Sequence, residues 1–136
     1  MSRVTVNVDG GARGNPGPAA IGVVARDGDG RVLEEVGERI GEATNNVAEY
    51  RALLRGIELA KAHGASELEL IGDSELVVRQ VEGRYKVKNA GMKELHDEAV
   101  RALRGFDSWS IRHVRREGNS DADRLVNEAL DGVLDG

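Results

Sequence analysis

The sequence contains no cysteine, and this absence narrows the chemistry that the chain can perform. It excludes disulfide bonds, thiolate nucleophiles and zinc sites built from thiolates. Histidine occurs only three times in 136 residues, so a bound metal would be held by oxygen or imidazole. Magnesium, manganese and calcium, which prefer oxygen ligands, are therefore the favoured ions.

Long apolar runs are also missing. No segment approaches the roughly 18 apolar residues that a membrane helix needs, and the first three residues lead into a strand-like pattern rather than a signal peptide. No internal repeat, linker or low-complexity tract divides the 136 residues. We therefore expect a single cytoplasmic domain over residues 1–136, without a membrane partner.

Acidic residues outnumber basic ones, 24 to 19, for a formal net charge of −5. An evenly spread negative charge would argue against a nucleic-acid partner, but the distribution of charge matters more than the total. Residues 84–93 carry four basic side chains and no acid, and residues 112–116 carry three arginines. Local basic surfaces are therefore expected on an acidic protein.

Hydrophobic periodicity predicts a mixed α/β fold. Alternating patterns predict strands over about 4–9, 20–26, 31–40, 67–71 and 109–114. The spacing of apolar residues predicts helices over about 46–63, 74–81, 89–104 and 120–134. The first three strands read as an antiparallel meander, with the hairpin turn Asp27–Gly30 between the second and third. The order βββ-α-β-α-α-β-α predicts one mixed sheet.

Four acidic residues share a position at the ends of these predicted elements. Asp9 ends the first strand and Asp73 follows the fourth, while Glu49 and Asp123 lie in the first turns of two helices. If the first and fourth strands are adjacent, the two aspartates lie side by side, and the helices can bring the other two acids alongside. Such a cluster would suit a metal ion.

Each of these acids also has an ordinary explanation. Asp9 precedes a glycine and could be a turn residue, and Asp73 could be the N-cap of the next helix. Asp123 could be a first-turn acid favoured by the helix dipole. Glu49 could complete a capping box with Asn46. The spacing alone leaves both interpretations open.

The segments around the four acids are Asp9–Pro18 (DGGARGNPGP), Thr44–Leu53 (TNNVAEYRAL), Asp73–Val81 (DSELVVRQV) and Ala122–Ala129 (ADRLVNEA). On these segments, which occur in the family's order, the chain resembles type 1 ribonuclease H, in its compact bacterial and archaeal branch. The resemblance spans nearly all of residues 3 to 131. It implies a ribonuclease H-like α/β fold: a five-stranded mixed sheet, three antiparallel strands and then parallel ones, flanked by helices.

The resemblance also implies a reaction, hydrolysis of the RNA strand of an RNA–DNA hybrid to 5′-phosphate and 3′-hydroxyl ends. The catalytic acids would be Asp9, Glu49, Asp73 and Asp123, holding two magnesium ions for which manganese substitutes. The residues suit this chemistry independently, because two metal ions about 4 Å apart can activate water and stabilise the leaving oxygen. On a central strand, Asp9 is expected to bridge the ions. Setting these four acids aside changes the net charge from −5 to −1.

The resemblance implies substrate contacts as well. Contacts to the hybrid are expected from Gly11, Asn15, Asn45 and Asn46, and contacts to phosphate from Arg13 and Thr44. Glycines let a backbone approach the minor groove and the 2′-hydroxyl groups that distinguish RNA from DNA. Asn46 could equally be a helix cap.

Two further regions are less specific. The segment 84–89 is too short for the basic helix-and-loop protrusion with which many family members bind the hybrid. Lys86 and Lys88 are then the remaining basic contacts to the hybrid, and we expect weak, salt-sensitive binding. Glu117, in the loop before the last helix, stands where the family carries a histidine or glutamate that assists metal release or product departure. A solvated loop acid is the alternative. We expect His113 to be structural and His63 and His96 to lie at the surface.

The enzyme is one of two interpretations from different classes. The other is a non-catalytic module that binds hybrid or duplex RNA on the same fold. A binder gains nothing from four carboxylates that face phosphate, so the enzyme is favoured. Transposases, junction resolvases and exonucleases share the fold, but their acid spacing and neighbouring residues differ. We expect a catalytic domain that acts as a monomer.

Overall fold

Strands and helices follow one another in the order that hydrophobic periodicity predicts, over residues 2–132, which the computed structural model describes. The elements are β1 (Arg3–Ala12), β2 (Gly17–Arg26), β3 (Val32–Ala43), α1 (Asn45–Ala62), β4 (Glu67–Gly72), α2 (Glu75–Val81), α3 (Ala90–Leu103), β5 (Ser108–His113) and α4 (Ser120–Leu130). A 3-10 turn, Arg116–Asn119, precedes α4. The last helix ends at Leu130, earlier than the predicted end at about residue 134; residues 133–134 themselves lie outside the described residues.

The five strands form one mixed sheet in the order β3-β2-β1-β4-β5. The β1–β2 and β2–β3 pairs are antiparallel, whereas the β1–β4 and β4–β5 pairs are parallel. The predicted meander and the predicted adjacency of the first and fourth strands are both confirmed. Pairing between β1 and β4 ends at Val8 and Gly72. Asp9 and Asp73 are the next residue of each chain segment, so they emerge side by side.

Helices cover both faces of the sheet. On one face, the alternating valines Val4, Val6 and Val8 pack in a core with Tyr50 and Leu53 of α1. Each such fully buried side chain contributes roughly 1.5–3 kcal/mol of stability. On the other face, α4 places Val126 and Ala129 against Ala20 of β2. No helix among the described residues is both long and apolar enough to cross a membrane.

Strand β1 is longer than the sequence predicts. It continues past Asp9 to Ala12, because Gly11 and Ala12 still pair with Ala20 and Ala19 of β2. The prediction that Asp9 ends the strand is therefore wrong, and the turn-residue explanation is excluded. What ends near Asp9 is the pairing with β4.

The N-caps also differ from the predicted ones. Thr44 caps α1, its Oγ1 accepting from the Val47 N–H at 3.2 Å. Ser74 caps α2 in the same way. Asn46 lies inside α1, and Asp73 precedes the Ser74 cap. The structure therefore contradicts both capping explanations, because the chain turns into each helix at a hydroxyl residue one or two positions away.

Candidate active site

A glycine allows α1 to lie directly against β1. A Cβ at Gly10 would overlap the backbone of Ala48, so only glycine fits this close approach. The contact brings Glu49 over the strand, where its Oε1 accepts a hydrogen bond from the Gly10 N–H. That bond takes the place of the predicted capping box. Glu49 therefore points into the site and not back along its own helix.

A second glycine does the same for α4. Gly22 of β2 pairs with Asp9 across the sheet, and a Cβ there would overlap the carbonyl oxygen of Ala122. The helix therefore lies against the strand, and Asp123 follows at once. Sequence reasoning missed this position, although a glycine inside an apolar strand is typical of a close backbone approach.

The four predicted acids meet at one cleft of about 450 Å³. Carboxylate oxygens of Asp9, Glu49 and Asp73 lie within 4.8 Å of one another. Asp123 lines the same cleft outside this tight group, and its Oδ1 lies 3.6 Å from Nη2 of Arg116. The arrangement is a compact triad with a fourth acid at its side.

Burial and mutual repulsion disfavour ionisation of this triad. Burial, reinforced by the charges of Glu49 and Asp73, raises the pKa of Asp9 to about 10. Burial also raises the pKa of Glu49 to about 7, against the opposing hydrogen bond from Gly10. The pKa of Asp73 is raised by burial as well, and Arg116 counteracts part of that effect. The three carboxylates could all be ionised only beside a strong positive charge.

The donor set fits a hard divalent cation. All three groups of the triad are carboxylates, they converge within 4.8 Å, and burial keeps competing water partly away from Asp9, which is 8% exposed. Magnesium and manganese take such oxygen ligands. Asp9, Glu49 and Asp73 would hold the ion, and Asp123 lines the same cleft.

Residues predicted to contact substrate divide into two groups. Gly11, Arg13, Asn45 and Asn46 line the cleft. Asn15 and Thr44 are not among the lining residues; both accept hydrogen bonds from backbone N–H groups at the start of α1. The Asn15 Oδ1 accepts from the Asn45 N–H at 3.0 Å, and the Asn45 Oδ1 accepts from the Ala12 N–H at 2.9 Å. The two asparagines thus join the β1–β2 connection to the start of α1.

The remaining predicted residues do not line the cleft. Lys86 and Lys88 are exposed, in the segment between α2 and α3. Glu117 is exposed on the 3-10 turn and does not line the cleft. Its neighbour Arg116 does, beside Asp123. Sequence reasoning placed Arg116 only in a basic group, since a 3-10 turn has no periodicity that shows which side chain turns inward.

Two of the three histidines are half-buried and one is exposed. His113 is half-buried on β5, and His63 is exposed, with Nε2 2.9 Å from Glu34. The prediction that His96 lies at the surface is wrong. It is half-buried, its ring meets Tyr50 edge-on at 6.3 Å, and its Nε2 lies 3.1 Å from the Gln80 carbonyl oxygen. Its spacing from Met92, one helical turn away, places it on the inner stripe of α3.

Residues 7–129 match the family model described as reverse transcriptase-like. A ribonuclease HI of Halobacterium salinarum is 48% identical over 129 residues, which cover 95% of this chain and 65% of that protein. A ribonuclease H of Pseudomonas fluorescens is 30% identical, over 96% of this chain and 93% of its own length. The chain belongs to the ribonuclease H family.

Solved structures of the ribonuclease H family superpose closely on this chain. The crystal structure of the H. salinarum RNase H1 gives a TM-score of 0.93 at 48% identity, covering 95% of this chain and 98% of that one. LC11-RNase H1 in complex with an RNA/DNA hybrid gives 0.90 at 46% identity, covering 96% and 99%. The predicted ribonuclease H-like fold is therefore confirmed.

Relatives in this family differ in length. The chain spans 65% of the H. salinarum ribonuclease HI and 36% of a 45% identical bifunctional protein of Mycobacterium tuberculosis. The similarity therefore concerns the ribonuclease H portion of these proteins, and the other parts of such relatives have no counterpart in the comparison.

Proposed function

We propose that this chain is a metal-dependent endoribonuclease that hydrolyses the RNA strand of RNA–DNA hybrids and leaves 5′-phosphate and 3′-hydroxyl ends. The observation that carries the proposal is the convergence of Asp9, Glu49 and Asp73 within 4.8 Å, with Asp123 on the same cleft, in a chain of the ribonuclease H family. The hybrid complex of a 46% identical relative supports the choice of substrate.

The chain's own residues supply a cleft lined by four carboxyl groups. Two magnesium ions, with manganese as a substitute, would activate the attacking water and stabilise the leaving oxygen when bound. Asp9 stands on the central strand of the sheet and would serve both ions. Glu49 is oriented by the Gly10 N–H, so one of its oxygens is already committed. Asp123 extends the acidic cavity on the side of α4.

The walls of the cleft would hold the hybrid. Gly11, Asn45 and Asn46 offer backbone and amide groups to the minor groove, where the 2′-hydroxyl groups identify RNA. The Arg13 guanidinium forms an ion pair with Asp131, with Nη1 2.6 Å from Oδ1. It would leave this carboxylate to bind a phosphate of the hybrid. Thr44 can donate its hydroxyl proton to phosphate while its oxygen caps α1. Asn15 holds Asn45 in place.

Lys86 and Lys88 would extend the electrostatic footprint on the hybrid, and Glu117 would assist metal release or product departure from the rim. We further propose that the chain acts as one catalytic domain over residues 1–136, as a monomer, in the cytoplasm. Replacing both lysines with alanine should weaken hybrid binding and reduce the slope of log Kd against log salt by about 2. Glu117→Gln should lower kcat and leave KM unchanged.

Incubation with labelled RNA–DNA hybrid, duplex RNA and duplex DNA, with magnesium, manganese or chelator, tests the main proposal. Cleavage of the RNA strand of the hybrid in metal, with none in chelator, is the expected result. Tight hybrid binding without cleavage in either metal would instead identify a binding module. Asp9→Asn should lower the rate by several orders of magnitude and leave the circular dichroism spectrum unchanged. An active Asp9→Asn enzyme would contradict the site.

A further inference from the structure

A chain of hydrogen bonds fastens the start of α4 to the sheet beside the cleft. Asn119 is 1% exposed; its Nδ2 donates to the Val8 carbonyl oxygen at 2.8 Å, and its Oδ1 accepts from the Asn7 Nδ2 at 3.0 Å. The Asn7 Oδ1 accepts from Nη1 of Arg26 at 3.2 Å, and the Arg26 Nη2 donates to Asp121 at 2.6 Å. This series of hydrogen bonds contacts the beginning of α4 at two residues, Asn119 and Asp121.

These contacts involve residues that lie close in the sequence to two of the four acids, Asp9 and Asp123. Val8 is the last residue of β1 that pairs with β4, and Asp9 follows it directly. Asp123 comes four residues after Asn119, about one turn along the helix. One buried side chain therefore bonds to the residue before Asp9 and stands one turn before Asp123.

An ordinary helix cap does not explain Asn119. Its side chain makes no hydrogen bond to the first turn of α4, although it occupies the capping position. Both polar groups of the amide face β1 instead. An amide is costly to bury without partners, and here both partners belong to the strand that carries Asp9. The side chain therefore serves the contact between helix and strand.

We propose that Asn119 is a positioning residue, which holds Asp123 at its working distance from Asp9. Asn7 and Arg26 fix the orientation of its amide, because the Asn7 Nδ2 can donate only to an oxygen and so leaves the Asn119 Nδ2 to meet Val8. The inference rests on the proposed function, since it concerns the acids that would hold the metal ions.

Titration with manganese alone, followed by thermal denaturation in the absence of hybrid, tests this role. Asn119→Ala should raise the manganese concentration for half-maximal stabilisation by about tenfold, the upper range for the loss of such contacts. In an Asp123→Asn background the same replacement should change it by less than about twofold, because the positioned carboxylate is gone. In hybrid cleavage, Asn119→Ala should lower kcat with KM nearly unchanged.

Two further variants separate positioning from stability. Asn7→Ala leaves the bond to Val8 intact and should raise the half-maximal manganese concentration by about threefold. Asn89→Ala removes a similar bond, 3.0 Å to the Met92 N–H at the start of α3; it should lower the denaturation midpoint without changing the manganese requirement. The inference would be overturned if Asn119→Ala, like Asn89→Ala, lowered the denaturation midpoint without changing the manganese requirement. It would also be overturned if Asn119→Ala raised the manganese requirement equally in the Asp123→Asn background. A wild-type protein that manganese does not stabilise would refute the metal site itself.

Discussion

Replacing Asp9 with asparagine should stabilise the metal-free protein at neutral pH while it destroys the metal site. The pKa of Asp9 is raised from its ordinary 3.8 to about 10, chiefly by burial. The folded protein therefore holds a proton there that the unfolded chain releases above about pH 4. Unfolding is thereby favoured as the pH rises, and the wild-type protein loses stability between those two values.

The size of the effect follows from the same shift. Each pH unit over which one proton is held only in the folded state costs about 1.4 kcal/mol. From pH 3.8 to pH 7, this amounts to about 4 kcal/mol. We expect Asp9→Asn to recover about 2–4 kcal/mol of unfolding free energy at pH 7, since the neighbouring acids titrate together. Asparagine keeps a polar group that can donate to Glu49.

Urea denaturation in chelator between pH 6 and pH 8 measures the difference. The wild-type unfolding free energy should fall more steeply with pH than that of Asp9→Asn, by up to about 1.4 kcal/mol per pH unit. Magnesium should then stabilise the wild-type protein far more than the variant. Asp29→Asn, at an exposed acid in the β2–β3 turn, serves as the control. Equal pH slopes, or a less stable Asp9→Asn protein in chelator, would refute the electrostatic description of the cluster.

Gly22→Ala should destabilise the protein by about 1–3 kcal/mol and reduce cleavage, because the new Cβ pushes α4 off the sheet. Gly28→Ala is the control, since nothing lies near its Cβ, and it should change neither stability nor cleavage. A Gly22→Ala protein with unchanged stability and cleavage would contradict the close packing of α4 on β2. Thr44→Ala should lower the unfolding free energy measured in urea by about 1 kcal/mol, because the helix cap is lost. Asn46→Ala should change that free energy by less than about 0.5 kcal/mol and raise KM. A larger loss of stability in Asn46→Ala than in Thr44→Ala would show that Asn46 is the cap after all. Arg116→Ala should weaken hybrid binding and lower its salt slope by about 1, which a filter-binding series measures.

Local patterns were sufficient to predict the sheet and most of the helices. Alternation in Val4, Val6 and Val8 marks the core face of β1, and the stripe through Leu53 and Ile57 marks the buried side of α1. Both patterns are set by which residues face the core, and that information is contained in a few consecutive positions. The same holds for the hairpin turn at residues 27–30, where the Gly30 N–H donates to the Asp27 carbonyl oxygen.

The roles of Asn119 and Gly22 were not predicted, because both depend on contacts between segments that lie far apart in the sequence. Asn119 bonds to Val8, 111 residues away, and no spacing rule connects the two. The overlap that a Cβ at Gly22 would make with Ala122 likewise depends on how closely α4 packs on β2. A polar residue before a helix suggests a cap, and the structure shows how Asn119 departs from that rule: its amide turns toward the strand.

The site is held together by parts of the fold other than its own charges. Asp9, Glu49 and Asp73 repel one another and are partly withdrawn from water, so their proximity opposes folding. The core between β1 and α1 supplies the stability that offsets this repulsion. Gly10 and Gly22 allow α1 and α4 to lie close against the sheet. Because that core needs no metal, the protein should remain folded in chelator, with the effect of metal removal confined to the acids of the cleft and the residues around Asp123. Hydrogen exchange should then show magnesium protecting the amides around Asp123 and leaving those of α1's buried face unchanged. Protection lost throughout the chain on metal removal would show that the core depends on the metal after all.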